Sequence, residues 1–92
     1  MIVRIATEGQ YELDDTERDS LDELDDQAIA ACNGTDEARF RESFNRLLDF
    51  VRQTGSRLPE DDLRGSDVIL PPPDASQEEA RAEFSGEGLI PD

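Results

Sequence analysis

The middle of this 92-residue chain carries its strongest periodic signal, a run of apolar residues with the spacing of an α-helix. The run starts after Asp36 and ends at Gly55, and its apolar positions recur at i, i+4, i+7, i+8 and i+11: Phe40, Phe44, Leu47, Leu48 and Val51. This pattern predicts an amphipathic helix that buries one side. A weaker helical pattern precedes it and stops at Asn33-Gly34, with the apolar positions Leu21, Leu24, Ala28, Ala31 and Cys32. Because so few residues connect the two patterns, we expect an antiparallel helical hairpin.

The N-terminal residues alternate between apolar and polar side chains, which is typical of strands with one buried face. We expect two short strands over residues 2–6 and 10–13, joined by a loop in which Gly9 supplies a positive φ. The alternation assigns one face to Val3, Ile5, Tyr11 and Leu13, and the other face to Arg4, Gln10 and Glu12. A lone β-hairpin is only marginally stable in water, so we expect the two helices to cover its apolar face.

The last third of the chain is richer in polar residues, proline and glycine, and its predicted elements are shorter. Residues 56–66 are polar and predict a loop, and residues 67–70 predict a third short strand that stops at three consecutive prolines. Those prolines favour a stiff polyproline II segment. Ser76 and Glu79 have the spacing of a capping box, which predicts a short helix through Phe84. Two glycines then break this helix before an apolar tail.

These patterns predict one α+β domain over residues 1–92, since a chain of this length is too short for two independent cores. Residues 1–55 supply the β-hairpin and the helical hairpin, and residues 56–92 supply the loop, third strand, Pro-rich segment, short helix and tail. The expected architecture is a small, mostly antiparallel three-stranded sheet packed on an antiparallel helical hairpin, with a short C-terminal helix.

The charge balance is strongly acidic. Asp and Glu number 24 against nine Arg, Lys and His are absent, and the formal net charge is -15. A field of this sign repels nucleic-acid phosphates and anionic lipid headgroups, so we expect no direct binding to nucleic acid or membrane. Two sources can produce this composition, a high-salt cytoplasm that screens self-repulsion and a codon bias toward Arg and Asp. We favour the halophilic source, because codon bias alone does not explain so large an acid excess.

Residues that carry catalytic chemistry are scarce. Without His or Lys, the candidate general acids and bases are carboxylates and Tyr11, and no nucleophile motif, phosphate-binding glycine loop or zinc-ligand spacing is present. Residues 14–26 hold eight acids against one base, but they lack the calcium-loop pattern, and we interpret them as a solvated helix face. We therefore expect no enzymatic activity, no catalytic residues, no metal and no cofactor.

The single cysteine bears on the compartment. Cys32 cannot form an internal disulfide, and helical spacing places it on the buried side, so we interpret it as a packed thiol. The first residues predict a strand and not a cleavable leader, and no apolar run approaches the ~20 residues that span a bilayer. These features predict a cytoplasmic protein.

The prolines and the tail are not needed for the predicted core. A stiff proline segment loses little entropy when it docks, and exposed apolar residues beside it are a usual mark of an interface. We predict a partner-binding surface that includes Pro72, Phe84, Leu89 and Ile90. Two alternatives stay open: the prolines serve as a rigid spacer, and Leu89 and Ile90 fold back onto the sheet.

Three stretches, in this order along the chain, carry a resemblance to a known family. They are Met1-Ile2-Val3-Arg4-Ile5 with Glu8-Gly9-Gln10-Tyr11, then Ser66-Asp67-Val68-Ile69-Leu70-Pro71-Pro72-Pro73-Asp74, and finally Gly86-Glu87-Gly88-Leu89-Ile90-Pro91. The chain resembles the PspAA domain, the PspA-associated protein, over its whole length. The resemblance implies a cytoplasmic partner of PspA-type proteins, the coiled-coil, membrane-remodelling components of the phage-shock envelope-stress response. The acidity and the absence of Lys depart from typical members.

The composition and the resemblance together predict a non-enzymatic accessory or regulatory protein that binds a PspA-like coiled-coil protein. Because the domain is so acidic, the membrane contact should belong to that partner, which would recruit this protein to the inner face of the membrane. The alternative is an acidic nucleic-acid mimic that occupies the basic groove of a DNA-binding protein. The sequence leaves open the binding surface, the direction of regulation and whether the chain forms a homo-oligomer.

Overall fold

A four-stranded sheet and three helices make up the part of the chain that the computed structural model describes, residues 1–62 and 64–84, with Glu83 and Phe84 as backbone only. The strands are β1 (Ile2–Ile5), β2 (Gly9–Glu12), β3 (Ser56–Arg57) and β4 (Val68–Leu70). The helices are α1 (Arg18–Cys32), α2 (Glu37–Thr54) and α3 (Gln77–Phe84). The α+β class predicted from the sequence is confirmed.

The sheet is mixed and has the strand order β3-β2-β1-β4. β2 pairs antiparallel with β1 and with β3, whereas β4 pairs parallel with β1, with Val3 opposite Val68. The expectation of a three-stranded, mostly antiparallel sheet is therefore wrong. β3 has two residues, too few to show the period-two alternation of a strand. The direction of β4 depends on where the chain returns after α2, which no local pattern encodes.

The turn between β1 and β2 uses two residues with positive φ. The Glu8 N–H donates to the Ile5 carbonyl at 3.0 Å, and Gly9 has φ 149°, as the sequence predicted. Thr7 also adopts a left-handed conformation, with φ 68°. This conformation is unfavourable for a β-branched residue, so the turn needs support from its surroundings. That support comes from the Glu8 side chain, whose contacts are described below.

Each helix begins at a polar cap. The Asp14 carboxylate accepts from the Thr16 N–H and opens a 3-10 turn, Asp15–Glu17, that leads into α1. The Asp36 carboxylate accepts from the Arg39 N–H at the start of α2. At α3, Ser76 and Glu79 exchange side-chain-to-backbone hydrogen bonds, which confirms the predicted capping box.

One core fills the space between the sheet and the helices. The inward residues of the strands and the apolar stripe of α2 belong to a single buried cluster, as the two periodicities predicted. Phe40 and Phe44 are fully buried, and their rings stack with centroids 5.4 Å apart. Cys32 is also fully buried, and burial raises the pKa of its thiol, which confirms the interpretation as a packed residue.

The segment after β4 is held against the helical hairpin by side chains. Arg41 donates to the carbonyls of Pro73 and Ala75, at 3.0 Å and 2.6 Å. Gln77 donates to three carbonyls at the end of α1, those of Ala31, Cys32 and Gly34, and Arg81 donates to two of the same carbonyls. The last turn of α1 has no basic residue of its own, so α3 satisfies carbonyls that the helix end leaves open.

Candidate partner-binding surface

The helical hairpin presents a groove between α1 and α2 on its solvent side. Two adjoining depressions, of about 660 Å³ and 550 Å³, share Glu42 and Arg46 and together form this α1–α2 groove. One end lies near the connection between the helices, beside Gly34 and Asp36. The other end lies beside Leu24 and Gln53. The groove therefore follows almost the whole length of α2.

The groove forms because small side chains of α1 face long side chains of α2. Ala30, Ala31 and Gly34 line the end near the connection, opposite Arg39 and Arg46. The apolar stripe of α2 points to the core and leaves the polar side of the helix at the groove. Without bulk on α1 to fill the space, a depression remains between the two helices.

The other end of the groove has partly exposed apolar surface. Leu24 and Phe50 line it, and each packs on the core with part of its side chain while part stays accessible. A half-covered Leu and Phe on an otherwise charged surface are favourable contacts for a partner side chain.

Arg39 lines the groove and is exposed. Within residues 1–62 and 64–84, its guanidinium has no carboxylate or carbonyl partner, although it lines the groove. By contrast, Arg46 pairs with Glu42 at 2.9 Å, and Arg52 pairs with Glu8 and Asp49. An unpaired arginine beside a groove is available to bind a carboxylate on another molecule.

α1 carries a row of exposed acids that leads up to the groove. Asp19, Glu23 and Asp26 are exposed and lie at i, i+4 and i+7 on α1, and Ala30, which lines the groove, follows in the same row at i+11. The lining itself carries both signs of charge, with Asp36 and Glu42 near Arg39 and Asp49 toward the other end. The acidic row of α1 favours basic residues on a partner.

A cluster of polar side chains, Glu8, Tyr11 and Arg52, joins the β1–β2 turn to α2 and β2 by hydrogen bonds. Arg52 donates two hydrogen bonds to the Glu8 carboxylate, at 2.6 Å and 2.9 Å, and the Tyr11 hydroxyl donates a third at 2.8 Å. The hydrogen bonds from Arg52 hold the pKa of Glu8 below its usual range, while burial and the Glu8 contact raise the pKa of Tyr11. Glu8 is thus kept ionised with both oxygens occupied, and this cluster supports the strained turn.

The acidic run of α1 is solvated except at one residue. Asp25 is fully buried and is an exception to the solvated face expected for this run. Asp25 follows Leu21 by one helical turn, which places it on the same inward side. Carboxylate oxygens of Asp22, Asp25 and Asp26 lie within 4.8 Å of one another, but Asp22 and Asp26 are exposed, and exposed acidic groups are common without a metal.

The residues predicted for partner binding are spread over the C-terminal segment. Pro71 is buried and Pro72 is half-buried, and the Pro72 carbonyl accepts from the Ala75 N–H at 2.9 Å. Phe84 is the last residue of α3, and its side chain lies outside the described part of the chain. Leu89 and Ile90 also lie outside the described residues. The groove was not predicted from the sequence, because it depends on how the two helices pack and no local pattern marks its lining residues.

The opposite side of the molecule has one exposed large apolar residue among those described, Ile69, which is 54% exposed. It pairs in register with Arg4 on the outer face of the sheet. Like Arg39, Arg4 has no carboxylate partner within the described ranges.

Comparison with known proteins gives one match that covers the chain. The sequence model of the PspA-Associated protein family, PspAA, matches residues 1–92. No curated protein and no solved structure matches the chain. In the described residues, no helix is both long enough and apolar enough to cross a membrane. Because the family match spans the entire sequence, this chain belongs to the PspA-Associated protein family.

Proposed function

We propose that this protein is a non-enzymatic accessory protein that binds a PspA-like coiled-coil protein. The observation that carries the proposal is the family match over residues 1–92, since the family is named for its association with PspA. The structure adds a long groove on the helical hairpin that the described residues leave open. A helical groove of this kind is a common docking site for a helix, which is the element that a coiled-coil protein presents.

The charge of the domain assigns the membrane contact to the partner. At net charge -15, the isolated domain is repelled by anionic lipid headgroups. We therefore propose a cytoplasmic location, with recruitment to the inner membrane face through the PspA-like protein. A vesicle co-sedimentation assay tests it: the domain should pellet with anionic vesicles only when the PspA-type protein is present, and pelleting alone would contradict the proposal.

The direct test is binding between the purified protein and the PspA-type protein of the same organism. Isothermal titration calorimetry at several KCl concentrations should show a saturable complex, and a coiled-coil protein from an unrelated family with similar charge is the control. The alternative of a nucleic-acid mimic makes a different prediction, because duplex DNA should then compete with this protein for its partner. Absence of a complex at every salt concentration would refute the proposal.

A further inference from the structure

We infer that the α1–α2 groove takes a single amphipathic helix of the partner, with a carboxylate of that helix against Arg39 and basic residues facing the exposed acids of α1. The inference rests on the proposed function, since it names the part of the PspA-like partner that the groove binds. It would make the helical hairpin and the bound helix a three-helix arrangement on one side of the sheet.

The size of the groove fits one helix. Its lining extends along α2 from Asp36 to Gln53, and at about 1.5 Å of rise per residue this span is roughly 25 Å. A partner helix of about five turns matches that length. Packed helices approach to about 8–10 Å between axes, and the small side chains of Ala30 and Ala31 permit such an approach.

The apolar contacts available in the groove suit a helix that has one apolar face. Leu24 and Phe50 are only partly covered by the core, so a partner side chain that packs on them removes more apolar surface from water. Apart from Ala30, Ala31 and Gly34, the rest of the lining is polar, so the groove can stay open to water in the free protein. The contact is therefore that of a reversible interface, with an apolar centre and a polar rim.

Charged residues around the groove set the charges expected on the bound helix. The chain has 24 acids and nine arginines, yet Arg39 has no ionic partner among the residues that the structure describes. A carboxylate on the partner would form a charge-assisted hydrogen bond with Arg39. The exposed acids Asp19, Glu23 and Asp26 on α1 favour basic residues on the same partner helix.

The test compares two groove variants with a control of identical charge change. In Arg39→Glu the new residue stands at the third position of α2, where glutamate favours helix formation, so the variant should fold. In Ala30→Trp a large ring occupies the groove from an exposed position on α1. The control is Arg4→Glu, which adds the same negative charge on the outer face of the sheet.

We expect each groove variant to bind the PspA-type protein at least tenfold more weakly than the wild type in calorimetry at fixed KCl, and the control to stay within twofold. Thermal melts establish that each variant is folded, and either groove variant alone suffices for the comparison. If folded groove variants bind like the wild type, or if Arg4→Glu weakens binding as much as Arg39→Glu, the groove inference is wrong while the proposed function stands. If the wild type itself does not bind, the proposed function fails.

Discussion

Gly55 gives the sharpest test of how α2 meets the sheet. The residue has φ -84° and ψ 160°, a conformation open to any amino acid, so its role is to leave space. A Cβ atom at this position would lie 2.7 Å from the Val51 carbonyl oxygen, 2.8 Å from Leu13 Cδ1 and 2.9 Å from Tyr11 Cβ. Carbon atoms in contact usually lie about 3.5–4.0 Å apart, so Gly55→Ala forces β2 and the end of α2 to separate.

The cost should lie in the upper part of the range for overpacking, about 2–3 kcal/mol of unfolding free energy, because the Val51 oxygen and the Tyr11 Cβ cannot swing away. For a domain of this size, that corresponds to a melting temperature roughly 10–20 °C lower. Gly65→Ala is the matched control, since a Cβ there meets no heavy atom within 4 Å of the described chain. It should leave stability unchanged or raise it by about 0.4–1 kcal/mol. Urea unfolding monitored by circular dichroism measures both, and equal stability of the two variants would refute the packing argument.

Three further predictions follow from the core, the turn and the charge. Phe44→Ala should cost about 3–5 kcal/mol, because the ring is fully buried and stacked on Phe40; a native melting temperature would contradict this. Glu8→Gln should cost about 1.5–3 kcal/mol at neutral pH by weakening the contact with Arg52. Since the pKa of Glu8 is lowered in the folded state, the wild type is more stable than Glu8→Gln at neutral pH and loses this extra stability as pH falls below about 4.5 through the folded-state pKa. The unfolding free energies of the two proteins, measured by denaturant titration, should therefore converge at low pH. A difference in unfolding free energy that does not change with pH argues against the contact. If the acid excess is a halophilic adaptation, thermal melts should rise from low to molar KCl, and a constant midpoint would reject it.

The helices were predictable from the sequence because their signals are local. The spacing from Phe40 to Val51 and the caps at Asp36 and Ser76 depend on residues within a few positions of each other. The alternation of β1 and β2 likewise identified the buried face, with Val3, Ile5, Tyr11 and Leu13 all in the core. For α2 a periodicity and a cap determine the helix, and for β1 and β2 the alternation determines the buried face.

The sheet order and the groove depend on contacts between distant residues. β3 is recognised only through its pairing with β2, and β4 only through its parallel register with β1. Asp25 lies on a buried face that the charge of the run conceals. The groove arises where small residues of α1 face long residues of α2. No local sequence pattern marks these residues, because the groove exists only once the two helices are packed together.

Site-specific photocrosslinking tests directly whether the PspA-type partner docks in the α1–α2 groove, because it reports which surface the partner touches. A benzophenone amino acid is placed at Ala30 in the groove, at Ile69 on the outer face of the sheet, and at Pro72 in the C-terminal segment, all of which are at least partly exposed. Each protein is irradiated with the PspA-type protein and analysed by mass spectrometry. We expect a crosslink from Ala30 to a helical segment of the partner and none from Ile69. Crosslinks from Ile69 or Pro72 without any from Ala30 would contradict docking in the groove.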